Sequence, residues 1–164
     1  MPDIGSRHVT VNVDVSNGVT IRGIRDVSTG HRFLGPDAAA DLFAFAVNDG
    51  PLRHSGRDVE VEPFTAVPSS TLTLAARSRH EPLSFSVRFT CADPIDDHVV
   101  IAHVAVRNLG PTPVRLRFVM PLVRGVVTPC GQARQRFVVP QELGAVVADI
   151  AGPPIGMTLN VDVG

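Results

Sequence analysis

The chain has no lysine, no tryptophan and no tyrosine, and eight Phe are left to supply its large aromatic rings. Proteins that hold sugars or nucleobases commonly stack them on exposed aromatic faces, so a ring-stacking platform is not expected here. An excess of one charge is missing as well. Fifteen Arg against sixteen acidic residues leave a formal net charge of -1, which implies neither nucleic acid nor an anionic membrane as a partner. No apolar run approaches the roughly 20 residues that span a bilayer, and the opening MPDIGSRHVT has no apolar core of signal-peptide length. The expectation is a soluble, cytoplasmic chain. There are only two cysteines, Cys91 and Cys130, and without an export signal both are expected as free thiols. Motifs for nucleophilic, phosphate-binding or dinucleotide chemistry (G-x-S-x-G, the P-loop, G-x-G-x-x-G, H-E-x-x-H) are absent, so no catalytic residue and no cofactor is assigned.

What is present is alternation. From His98 to Met120 the sequence reads HVVIAHVAVRNLGPTPVRLRFVM, two apolar runs around Asn-Leu-Gly-Pro-Thr-Pro. The spacing predicts two strands and a turn. On the first, Val100, Ala102, Val104 and Val106 share one face, while Val99, Ile101, His103, Ala105 and Arg107 share the other, so a central strand is expected. On the second, Val114, Leu116, Phe118 and Met120 form the only apolar face. Two strands that bury a common side against a second layer point to a β-sandwich.

The rest of the chain follows the same grammar. Val9, Val11, Val13 and Val15 alternate with polar residues up to the turn Ser16-Asn17-Gly18, and Val19 and Ile21 resume the pattern. The apolar phase slips between Ile21 and Ile24 across Gly23, which predicts a β-bulge. A turn at Ser28-Thr29-Gly30 follows, then one helical turn near Gly35 to Ala40, then extended chain through Leu42, Phe43, Phe45 and Val47. Further strands are expected around Val59 and Val61, Leu72 and Leu74, Leu83 to Phe89, Phe137 to Val139, Ala145 to Ile150 and Met157 to Val163. Fourteen Pro and fourteen Gly fall largely between these runs, and no stretch sustains a 3.6-residue period. The fold class is therefore all-β: an antiparallel β-sandwich of roughly ten strands with very low helix content. One domain is expected over residues 1–164, either whole or part of something larger.

The segment VSNGVTIRGIRDVSTGHRFLG, Val15 to Gly35, followed by DLFAFAVNDG, Asp41 to Gly50, resembles the opening of galactose-mutarotase-like supersandwich domains, and the strand ending Arg107-Asn108 with the hairpin to Pro121 resembles a later part of the same kind of sheet. The catalytic His and acidic motifs of the epimerases in that superfamily have no counterpart here. The resemblance implies a non-catalytic or accessory β-sandwich of a carbohydrate-active enzyme, packing against a catalytic domain or shaping its cleft. Its partners would be a catalytic domain in the same or a neighbouring chain, or another copy through an exposed sheet, with carbohydrate as a candidate ligand. The alternatives are a stand-alone immunoglobulin-like adhesion or interaction module and, third, an aldose epimerase-type enzyme.

Among candidate groups, His98 and His103 lie five apart on one strand and so face opposite ways, which excludes a shared metal in regular geometry. His8, His31, His54 and His80 show no ligand spacing. Asp93, Asp96 and Asp97 crowd one loop with oxygen donors, but the spacing is not that of an EF-hand, and a solvated acidic turn is the simpler reading. Glu60 and Glu62 share the wet face of a strand. The one ligand-binding set is cationic. If Arg115 and Arg117 share a face with His103 and Arg107 of a neighbouring strand, that face suits a carboxylate or sulfate, from an acidic oligosaccharide or a partner domain.

Overall fold

The computed structural model describes residues 2–35, 40–64, 71–91 and 99–120, together with the backbone of three later strands at 137–139, 145–147 and 157–163. Among these residues there is no helix. Fourteen strands follow one another: β1 (Asp3–Gly5), β2 (Val9–Asp14), β3 (Thr20–Asp26), β4 (Ala40–Asp41), β5 (Ala44–Val47), β6 (Arg53–His54), β7 (Val59–Val61), β8 (Thr71–Ser78), β9 (Leu83–Cys91), β10 (Val100–Asn108), β11 (Val114–Met120), β12 (Phe137–Val139), β13 (Ala145–Val147) and β14 (Met157–Val163). The excess over ten comes from the two- and three-residue strands. Of the helical turn expected near Gly35 to Ala40, residues 36–39 lie outside the described residues, and Ala40 belongs to β4.

The strands form three four-stranded antiparallel sheets, ordered β1-β2-β3-β4, β10-β9-β8-β7 and β14-β11-β5-β6, plus the hairpin β12-β13. The molecule is an all-β antiparallel sandwich, as the alternation predicts. Its apolar faces meet in one cluster drawing on all three sheets: Ile4, Val11 and Val13 from the first, Leu74, Phe85 and Val87 from the second, Phe45, Leu116 and Phe118 from the third. At the centre Phe43 has ring centroids 4.9 Å from Phe85 and 5.3 Å from Phe118, so one ring joins two layers.

The predicted bulge is present. Asn12 pairs with Gly23 and Val13 with Ile21, leaving Arg22 as the extra residue. Because the count shifts by one, Ile21 and Ile24 both turn to the core while Arg22 and Arg25 both turn outward.

Two expectations about the His98 to Met120 stretch are corrected. First, β10 and β11 are not a hairpin. β10 pairs with β9 over its whole length, whereas β11 pairs with β5 and β14 in the other sheet. The five-residue connection, 109–113, is fastened instead to the β8–β9 turn, through Leu109 N–H donating to Pro82 O at 2.7 Å, and the chain crosses between layers there. Second, β10 is the outermost strand of its sheet, not a central one. The apolar residues on its second face are exposed: Val99 and Ile101 are each 40 % accessible.

Candidate docking face

The four cationic residues expected on one face are divided by that crossing. His103 and Arg107 lie on the outer face of the β7–β10 sheet, and Arg115 and Arg117 on the outer face of the β11 sheet. Arg115 sits 3.9 Å from Asp49, and its backbone N–H donates to the Asn48 side chain at 2.9 Å. Arg117 is exposed, with no side-chain partner among the described residues.

In place of the expected set, the register brings Arg88 of β9 directly opposite His103. Directly opposed residues of antiparallel strands point to the same side, so Arg88 and His103 are neighbours on the exposed face. Arg107 lies two outward positions along β10, roughly 14 Å further at the rise of an extended strand, opposite Ser84. The side chains of Arg88, His103 and Arg107 have no hydrogen bond or ion pair among the described residues. The strands explain why: β9 (LSFSVRFTC) and β10 (VIAHVAVRN) contain no acid. The acids of this sheet lie at its far edge, where Glu62 meets Arg77 at 2.8 Å and Glu60 lies 3.9 Å from Arg79. One half of the face is thus neutralised and the other is cationic, flanked by exposed Val99 and Ile101. The alternation from Leu83 to Phe89 already puts Arg88 on the wet side; the missing fact was which strand lies next to β9.

A second polar cluster contains the residue types of a hydrolase triad. His54 Nδ1 lies 2.8 Å from Asp41 Oδ2, and Ser55 follows His54. Ser55, however, is fully buried; its hydroxyl donates to Val19 O at 2.6 Å and accepts from Phe43 N–H at 3.2 Å, and no bond joins it to His54. A buried hydroxyl engaged on both sides is a fastening and not a nucleophile. The same turn is tied to a second layer through Asp58. Its carboxylate accepts His54 N–H at 2.8 Å and lies 3.2 Å from His80 Nε2. Burial works to raise the Asp58 carboxyl, and the bonds from His54, His80 and Arg57 outweigh it, so the group rests below its ordinary range. Nothing in the sequence marks this clasp, since Asp41 and His54 are 13 residues apart in a pattern typical of any turn.

Among the described residues no three His, Cys, Asp or Glu side chains are grouped to hold a metal. His98, Asp93, Asp96, Asp97 and Cys130 lie outside the described residues. Cys91 is a free thiol, half-buried against the core, and burial pushes its ionisation up. No protein-family model, curated protein or solved structure matches the chain.

Proposed function

We propose that this chain is a non-catalytic β-sandwich domain of a carbohydrate-active enzyme and that it packs against the catalytic domain through the outer face of the β7–β10 sheet. The observation that carries the reading is the uncompensated set Arg88, His103 and Arg107 beside exposed Val99 and Ile101. A protein surface bearing carboxylates meets both features, since guanidinium groups take carboxylates through paired hydrogen bonds and the aliphatic side chains need an apolar cover. A bare saccharide fits less well, because the face has no aromatic ring on which a sugar could lie.

The test is calorimetry of this chain with the carbohydrate-active domain encoded in the same reading frame or beside it. Binding is expected to weaken as salt is raised, and by tenfold or more in an Arg88→Ala/Arg107→Ala variant. Equal binding by the variant, or heat only with uronate oligomers as titrant, removes the docking reading.

A further inference from the structure

The β1–β4 sheet carries a shallow groove of about 260 Å³, lined among others by Asp3, Asn12, Arg22, Gly23, Arg25 and Arg32. Three arginines in one depression are a product of the local backbone. The bulge turns Arg22 and Arg25 to the same side although they are three residues apart, where a regular strand would separate them. After the Ser28–Gly30 turn the chain returns so that Arg32 forms an antiparallel bridge directly opposite Arg25. Like charges placed opposite each other across a strand pair are unfavourable unless something is held between them.

The nearby acids do not fill that role. Asp26 directs its carboxylate into its own turn, accepting Ser28 N–H at 2.8 Å, Ser28 Oγ–H at 2.6 Å and Thr29 N–H at 3.0 Å. Asp3 accepts from Asn12 at 2.5 Å. Asp14 takes the Nε–H of Arg22 at 3.2 Å. The side chains of Arg25 and Arg32 have no hydrogen bond or ion pair among the described residues. The floor is kept open by Gly23, where a Cβ would come within 2.6 Å of Asn12 Oδ1.

We propose that this groove is an oxyanion site for a phosphate group, either inorganic phosphate or the end of a phosphomonoester. Three guanidiniums against the carboxylates of Asp3, which lines the groove, and Asp14, which pairs with Arg22, leave one net positive charge, and the side chains of Arg25 and Arg32 are the two with no ion pair among the described residues. Several planar N–H forks suit a tetrahedral group with several acceptor oxygens better than a lone carboxylate. The site is independent of the docking face, being built on another sheet.

The experiment is thermal unfolding and calorimetry with sodium phosphate, methyl phosphate and, for ionic strength, sodium chloride, on the wild-type chain and the variants Arg25→Ala, Arg32→Ala and Arg88→Ala. Phosphate is expected to raise the Tm of the wild type and of Arg88→Ala. Each groove variant should lose at least tenfold in affinity and, without phosphate, unfold at the same or a higher temperature, because an opposed pair of like charges has been relieved. Methyl phosphate binding as tightly as phosphate marks an ester end as the ligand, and tenfold weaker binding marks the free ion. A shift equal with chloride, or retained in both groove variants, overturns the proposal.

Discussion

Val19 and Ser55 grip each other twice: the Val19 N–H donates to Ser55 O at 2.7 Å, and the Ser55 hydroxyl donates back to Val19 O at 2.6 Å. Both residues are inaccessible to solvent, so the pair binds the chain entering β3 to the turn after β6 with no competition from water. Ser55→Ala removes the returning bond and leaves Val19 O without that donor and Phe43 N–H without the Ser55 oxygen. A loss of about 1 to 3 kcal/mol is expected in urea unfolding, the range for orphaned buried polar groups. A loss under a few tenths of a kcal/mol would mean that the clasp does not hold the sheets together.

Gly18 approaches the same turn so closely that an added Cβ would lie 2.2 Å from Ser55 O, and its φ is +143°. Gly30 also has positive φ, +73°, but there a Cβ meets only the end of the Arg25 side chain at 3.8 Å. Gly18→Ala should therefore cost more than about 1 kcal/mol, and clearly more than Gly30→Ala. Equal costs would show that backbone conformation alone, and not the close approach, governs both sites.

Phe43 is fully buried and its ring lies among those of Phe45, Phe85 and Phe118. Truncation to alanine should cost about 3 to 5 kcal/mol, with Phe43→Leu recovering part of it. Denaturant midpoints of the two variants against wild type decide the point, and a Phe43→Ala midpoint near that of wild type would contradict the packing.

The Asp26 carboxyl is held at about 2, below its ordinary 3.8, first by the Ser28 hydroxyl and then by the Thr29 N–H. Because the folded value is the lower one, its stabilisation of the turn is complete above about pH 4 and is lost as pH falls through about 2. Carboxyl-carbon NMR should place the midpoint near 2. In Ser28→Ala the midpoint should move up towards 3.8, and an unchanged midpoint would assign the effect elsewhere.

The sandwich was legible because each strand announces its buried face: Leu83, Phe85, Val87 and Phe89 alternate in sequence and are all buried in the fold. The bulge was legible for the same reason, since the step from Ile21 to Ile24 breaks the period by one residue. What the period does not encode is which strand lies alongside. Val114, Leu116 and Phe118 would look identical whether β11 paired with β10 or, as it does, with β5 and β14. The grouping of Arg115 and Arg117 with His103 and Arg107 fails at that step, and Arg88 and the Arg22, Arg25 and Arg32 groove, which depend on register and on a bridge, have no local signature.

The pairing of β5 with β11 also sets the timing of the nascent chain. The meander from β7 to β10 joins strands as soon as they are made, whereas Asn48, just after β5, must wait for Arg115, 67 residues later, before that edge is bonded. At about 5 to 20 residues per second, synthesis leaves the uncharged run Leu42 to Val47 without its β11 partner for on the order of 3 to 13 s. A short, apolar, charge-free segment waiting that long is a place where copies on neighbouring ribosomes can stick to one another. The yield of soluble protein in a cell should accordingly depend on how fast the messenger is translated between codons 48 and 115.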